Sequence, residues 1–175
     1  MPTMERLSIL GSTGSIGVQT LDIVRRNPER FSVTSLVAHS RWQELAAQAR
    51  EFGVERVVIG DERHYAALKE ALADTSVEVM AGGEAIVDVA RDVRCDTVVN
   101  ALVGYSGLHP TYAAIAAGKR IALANKETLV CAGELVMREA HAYNAEIIPV
   151  DSEHSAIFQS LQGAPEGSLK KILLT

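Results

Sequence analysis

Cysteine, aromatic side chains and excess positive charge are all scarce in this chain of 175 residues. The only two cysteines, Cys95 and Cys131, lie far apart with no metal-type spacing. They read as reduced core residues in a reducing compartment. Aromatics make up 5% of the chain, and the apolar content is mostly Ala, Val, Ile and Leu, as buried parallel strands prefer. Acids outnumber bases, 22 against 17, for a net charge of −5. No basic run or basic-aromatic alternation accompanies that balance, so no nucleic-acid partner is expected. No apolar run approaches membrane-spanning length, and the first strand pattern begins within a few residues of Met1, leaving no room for a signal peptide. The expected location is cytoplasmic, with no membrane partner.

What is present begins with Gly11-Ser12-Thr13-Gly14-Ser15-Ile16-Gly17, set directly after the apolar run Leu7-Ser8-Ile9-Leu10. A strand, a glycine turn and the helix-like stretch Val18 to Arg26 open a nucleotide-binding βαβ unit. Gly11 allows the tight turn, Gly14 lets backbone approach a pyrophosphate, and Gly17 lets the helix pack close to the strand. The new helix offers unpaired N–H groups and its positive dipole end to phosphate.

Strand and helix patterns then alternate almost throughout. Strands are expected at 32–38, 56–60, 77–80, 97–100, 120–123 and 146–150, with helices at 42–52, 65–73, 82–91, 112–117 and 129–141. Such alternation predicts an α/β, Rossmann-like, doubly wound, mainly parallel sheet with helices on both faces. With 47% hydrophobic and 22% charged residues, the chain can bury one core, or one domain plus the start of another.

Ligands on such sheets bind beyond the carboxyl ends of the strands, where three clusters fall. At the end of the second strand, a ribose-reading carboxylate is absent. Ala38-His39-Ser40-Arg41 offers instead an imidazole, a hydroxyl and a guanidinium able to grip a 2′-phosphate, favouring NADP(H) over NAD(H). In Leu123-Ala124-Asn125-Lys126-Glu127, Asn125 suits a helix N-cap and Glu127 the first turn. Lys126 has the wrong sign for that dipole end, which suggests a lysine held for an anionic or carbonyl ligand; an ordinary exposed lysine is the alternative. In Asp151-Ser152-Glu153-His154, two carboxylates two residues apart in extended chain would face one cation, with oxygen chemistry suiting Mg²⁺ or Mn²⁺. The alternative is that Asp151 or Ser152 caps a helix through Ala156, Ile157, Phe158 and Leu161, with His154 a first-turn surface residue.

These three stretches, with Pro149-Val150 leading the last and Ser155-Ala156-Ile157-Phe158-Gln159 closing it, resemble the 1-deoxy-D-xylulose 5-phosphate reductoisomerase family. Ala101-Leu102-Val103-Gly104 and Gly107-Leu108-His109-Pro110-Thr111 extend the resemblance over essentially the whole chain. It implies an NADPH- and metal-dependent enzyme of non-mevalonate isoprenoid synthesis, making 2-C-methyl-D-erythritol 4-phosphate from a sugar phosphate substrate. Gly11, Thr13, Gly14, Ser15, Ile16 and Gly17 map to the pyrophosphate turn, His39, Ser40 and Arg41 to the adenosine phosphate, and Asn125 and Glu127 to the nicotinamide side. Lys126 and Glu153 map to catalysis, these two and Ser152 to substrate, and Asp151 and Glu153 to Mg²⁺ or Mn²⁺. Relatives carry a Gly-Lys-Asn version of the 39–41 segment, so the side chain gripping the 2′-phosphate is left open among the three.

Family members are more than twice this long. The resemblance therefore implies an NADPH-binding domain over 1–150 and the start of a catalytic, metal-binding domain over 151–175, stopping in what reads as a strand at Lys171-Ile172-Leu173-Leu174-Thr175. The third metal ligand would lie beyond it. On that basis the chain binds NADPH but is inactive alone, exposes an apolar edge near Leu169 to Leu174, and belongs to an enzyme that pairs as a homodimer. The rival readings are another NADP-dependent dehydrogenase, such as a semialdehyde dehydrogenase with a catalytic cysteine, and a non-catalytic NADP-sensing module.

Overall fold

A computed structural model describes residues 4–165 and 167–173. The strands are β1 (Glu5–Leu10), β2 (Phe31–Ala38), β3 (Arg56–Ile59), β4 (Glu78–Ala81), β5 (Thr97–Asn100), β6 (Arg120–Leu123) and β7 (Glu146–Pro149). They form one sheet in the order β4-β3-β2-β1-β5-β6-β7, and all six pairings are parallel. The crossovers are α1 (Ser15–Arg26), α2 (Trp42–Phe52), α3 (Tyr65–Ala71), α4 (Gly82–Ala90), α5 (Leu108–Ala116) and α6 (Lys126–Ala142), and α7 (Ser152–Ser160) follows the last strand.

Apolar residues on the two sides of each strand divide the core. Leu7, Ile9, Leu36, Val57 and Ile59 pack with Leu21 and Val24 of α1, Leu45 and Ala49 of α2 and Leu68 of α3. Leu10, Val37, Val58, Val98 and Ile121 pack on the other face with Val89 of α4, Ile115 of α5 and Val136 of α6. Runs such as Val57-Val58-Ile59 are therefore apolar without alternation, because both faces are covered. A bulge adjusts the register next to the centre. Leu7 pairs with Val33 and Ser8 with Ser35, so Thr34 is left over, and Val33 and Leu36 reach the same cluster although three residues apart.

All seven strands fall where the apolar runs place them. Helix starts differ: α1 begins at Ser15 rather than Val18, α5 at Leu108 rather than Tyr112, and α6 at Lys126 rather than Leu129. Their first turns are polar, glycine- or proline-bearing residues at cleft level, which carry no apolar period. Cys95 is buried as expected, but Cys131 is exposed, because it lies on the outer side of α6, where the helix kinks at Ala132 (φ −145°, ψ 28°). The strand expected over Lys171–Thr175 is not formed at 171–173, since no neighbouring strand pairs with it; Leu174 and Thr175 lie outside the described residues. Leu169, Ile172 and Leu173 are exposed and α7 buries no residue. Among the described residues no helix is long and apolar enough to cross a membrane.

Candidate functional site

The winding reverses between β1 and its neighbour β5, so their carboxyl ends open a crevice at the centre of the sheet. The glycine turn lies there. Gly11 takes φ +90°, and a Cβ on it would sit 2.6 Å from the Ala101 carbonyl oxygen of the opposing loop. The N–H groups of Gly11 and Ser12 donate to the Val37 carbonyl at 2.9 and 2.8 Å, pinning the turn to β2. Gly14 is the N-cap of α1, with no side-chain cap and no acid in the first turn. The first N–H groups of α1 therefore keep their donor capacity and dipole field for an anion. Gly17 acts differently from expectation: its missing Cβ would lie 2.3 Å from the Gly11 carbonyl oxygen, so it lets α1 close on the turn rather than on the strand.

A cleft of about 460 Å³ is lined by Gly11, Thr13, Gly14, His39, Ser40 and Arg41, and by Ala101, Leu102 and Val103 opposite. The glycine turn and the end of β2 are thus brought together. Arg41 is exposed and, among the described residues, pairs only with Glu44, at 3.2 Å; such a surface pair contributes ~0.2–1 kcal/mol and yields readily to a phosphate. Ser12 and Thr13 are buried, and the Ser12 hydroxyl has no partner among the described residues.

A smaller adjoining hollow is lined by Gly14, Ser15 and Ile16, by Ala101 to Val103, and by Ala124, Lys126 and Glu127. Two helix N-termini meet across one loop. Asn125 caps α6 as the sequence suggests, its Oδ1 accepting from the Thr128 N–H at 3.1 Å. Its amide donates to the Leu102 and Gly104 carbonyls at 2.8 and 2.9 Å and to a Glu127 carboxylate oxygen at 3.2 Å. Asn125 is buried and these contacts occupy its side chain, whereas Lys126 is exposed.

Asp151 and Glu153 are not two extended neighbours facing one side. Asp151 is the N-cap of α7 and Glu153 lies in its first turn, because an aspartate after β7 satisfies the first helical N–H groups. The Asp151 carboxylate accepts the His154 N–H at 3.0 Å and lies 2.7 Å from His154 Nδ1; His154 is the surface residue foreseen. Ser152 donates to Glu153 at 3.0 Å. Among the described residues no group of three metal-ligating side chains forms. The Lys126 charge nevertheless favours the ionised form of both acids.

Burial works to raise the Asp151 pKa, but the hydrogen bonds and charge of His154, then Lys126, outweigh it and hold the carboxyl below its usual value. Glu153 is also lowered, first by its own backbone N–H, then by Ser152. Depressed carboxyls contribute stability above their unfolded pKa, near 4, and lose it as pH falls through the folded value. Acid titration is accordingly expected to fray α7 before the sheet melts. Asp151→Ala should remove that early step at a cost of about 1 kcal/mol at neutral pH, the usual value of an N-cap. Residue-resolved NMR of 152–160 against pH checks it; α7 and sheet melting together in the unmodified chain would refute the assignment.

Neither cysteine lines the cleft, and burial pushes the Cys95 thiol up. The depression at the amino ends of β1, β5 and β6 is lined by Glu5, Arg6, Asp96 and Arg120, whose charges neutralise one another in ion pairs. Sequence reasoning passed over Asn100, a fully buried amide at the end of β5. A polar residue closing the apolar run Thr97-Val98-Val99 was its available signal.

A family model described as 1-deoxy-D-xylulose 5-phosphate reductoisomerase matches residues 7–133. Curated relatives of that name include those of Porphyromonas gingivalis, 54% identical over 171 residues, and Bacteroides fragilis, 51% identical over 171 residues. Each match covers 98% of this chain and 44% of the relative, so the chain spans less than half their length. The reductoisomerase of Zymomonas mobilis solved with NADPH superposes with TM-score 0.86 at 44% identity, covering 90% of this chain and 41% of that one. A DOX-P reductoisomerase solved with NADPH, fosmidomycin and magnesium gives 0.87 at 42% identity, covering 92% and 41%. A biliverdin reductase at 18% identity and TM-score 0.61 shares the fold alone.

Proposed function

From the premise that this chain belongs to the 1-deoxy-D-xylulose 5-phosphate reductoisomerase family, we propose that it is the NADPH-binding part of an enzyme converting that sugar phosphate to 2-C-methyl-D-erythritol 4-phosphate. The observation that carries the reading is the meeting of two helix N-termini across Ala101–Val103, one bare and one bearing Lys126 and Glu127. At Gly11 and Gly17 a Cβ would stand 2.6 and 2.3 Å from backbone carbonyl oxygens of this chain, so the glycines keep the turn compact, which suits the close backbone approach a pyrophosphate needs.

In this reading residues 1–150 bind the cofactor and 151–175 begin the catalytic, metal-binding part. The α1 N-terminus, with Thr13, Ser15 and Ile16, binds the pyrophosphate, and His39, Ser40 and Arg41 meet the 2′-phosphate. Glu127 borders the nicotinamide side, while Asn125 fixes the loop beside it. Bound NADPH supplies hydride. Asp151 and Glu153 provide the hard oxygen donors that Mg²⁺ or Mn²⁺ prefers, with a third ligand outside this chain, and the bound ion supplies Lewis acidity. Lys126 and Ser152 orient the anionic substrate, and Lys126 holds positive charge beside the two carboxylates. The complete protein is then a cytoplasmic homodimer, and this chain alone binds cofactor without turnover.

Calorimetric titration tests the cofactor reading. NADPH is expected to bind well and NADH weakly, and Arg41→Ala should weaken NADPH about tenfold, the loss of one charge-assisted contact, while leaving NADH unchanged. Calorimetry is preferable to the fluorescence of Trp42, which packs against the core and is not a cleft residue. Equal binding of both nucleotides refutes the 2′-phosphate assignment. Product formation by this chain alone refutes the division of labour.

A further inference from the structure

We infer that Asn100 is a positioning residue for the cofactor: with Asn125 it clamps the Ala101–Gly107 loop from both sides and so sets the wall on which the nicotinamide half rests. The inference deepens the dinucleotide reading and rests on it for the identity of the ligand. The loop joins the two hollows, since Ala101, Leu102 and Val103 line both. It contains no strand, only a 3₁₀ turn at Gly104–Gly107, and Val103 is 84% exposed. Its course is therefore fixed by what holds its backbone.

Two buried amides do so. Asn100, at the end of β5, accepts the Leu102 N–H on its Oδ1 at 3.2 Å. Its Nδ2 donates to the Gly107 carbonyl at 2.9 Å and to the Thr111 hydroxyl at 2.7 Å. Asn125, at the end of neighbouring β6, donates to the Leu102 and Gly104 carbonyls. Leu102 is thus held by its N–H from one asparagine and by its carbonyl from the other. Gly107 is wedged between them: its carbonyl meets Asn100, and a Cβ on it would stand 2.6 Å from the Asn125 amide carbon. No aliphatic side chain can replace Asn100, because it donates to the Gly107 carbonyl and the Thr111 hydroxyl and accepts the Leu102 N–H at once. Neither amide need touch the ligand; each acts through the loop.

The test pairs amide exchange with binding in the 175-residue chain. In the ligand-free chain, Asn100→Ala is expected to speed exchange of the Leu102 N–H at least tenfold, the loss of about one buried hydrogen bond, while Val98 in β5 stays protected. NADPH affinity should fall about tenfold, and that of adenosine 2′,5′-bisphosphate, which lacks the nicotinamide half, should fall by much less. Gly107→Ala, which strikes the clamp from the Asn125 side, should reproduce both effects and serves if Asn100→Ala does not fold. Unchanged loop exchange in the folded variant overturns the clamp. Equal weakening of NADPH and the bisphosphate overturns the nicotinamide-side role. Failure of the unmodified chain to bind either nucleotide refutes the dinucleotide reading and with it the ligand role, while the exchange arm separately decides whether Asn100 orders the loop.

Discussion

Gly17→Ala is expected to abolish NADPH binding and to lower stability by about 1–3 kcal/mol, the usual cost of forcing a methyl group into filled space. In an isolated helix the same change would help, since alanine exceeds glycine by ~1 kcal/mol in helix propensity. Packing decides the sign here. The added carbon would lie 2.3 Å from the Gly11 carbonyl oxygen and 2.5 Å from Ser12 Cα. Both are backbone atoms, and the same two residues are tied to the Val37 carbonyl by their N–H groups. The turn must shift, and a displacement near 1 Å can cost ~10²-fold where geometry is exacting. Gly14→Ala should be milder, since its Cβ would meet the Gly11 carbonyl oxygen at 3.3 Å. Thermal unfolding and calorimetry of both variants check the order; a Gly17→Ala chain that gains stability and still binds would refute the contact between α1 and its own turn.

The second large effect is expected at Asn125. Asn125→Ala strands the part-buried Leu102 and Gly104 carbonyls and uncaps α6, for a loss of about 2–4 kcal/mol from one cap and two acceptors. Asn125→Asp discriminates between those causes because it keeps the capping oxygen. Were capping the whole role, aspartate would restore most of the loss. Its second oxygen would instead face two carbonyls and Glu127, which now receives the amide at 3.2 Å. That setting raises the new carboxyl's folded pKa. Its destabilisation is therefore least below the unfolded value near 4 and grows as pH rises through the folded one. Urea unfolding at pH 5 and pH 8 reads this directly. An aspartate variant close to the unmodified chain at pH 8 would return Asn125 to the status of a simple cap.

The sequence makes strands legible where both faces are buried. Arg56-Val57-Val58-Ile59 and Arg120-Ile121-Ala122-Leu123 have little freedom to be anything but short central strands between crossovers. It blurs the helix starts for the reason that makes them useful: Ser15 and Ile16, like Lys126 and Glu127, line a cleft rather than a core, so no apolar period marks them. Spacing also could not distinguish Asp151 and Glu153 as strand neighbours from a cap and its first turn, because i and i+2 are the same text in both. The Gly17 contact required knowing that the helix folds back on its own turn. Asn100 looked like the polar end of a strand, and only the depth at which its amide is buried gives it work to do.

The strand order sets the time at which a binding site can exist. Strands β2, β3 and β4 lie successively on one side of β1, and the other side of β1 stays unpaired until β5, whose residues Thr97–Asn100 align with Leu7–Leu10. A chain emerging from its N-terminus can therefore assemble one flank early, from contacts close in sequence, and must hold the glycine turn open-sided meanwhile. The roof over that turn arrives with Ala101, directly behind the long-range pairing that joins the second flank to β1. A ligand seated in this seam bridges the early and late flanks, so its binding reports that the longest-range strand pairing is in place and opposes its reversal.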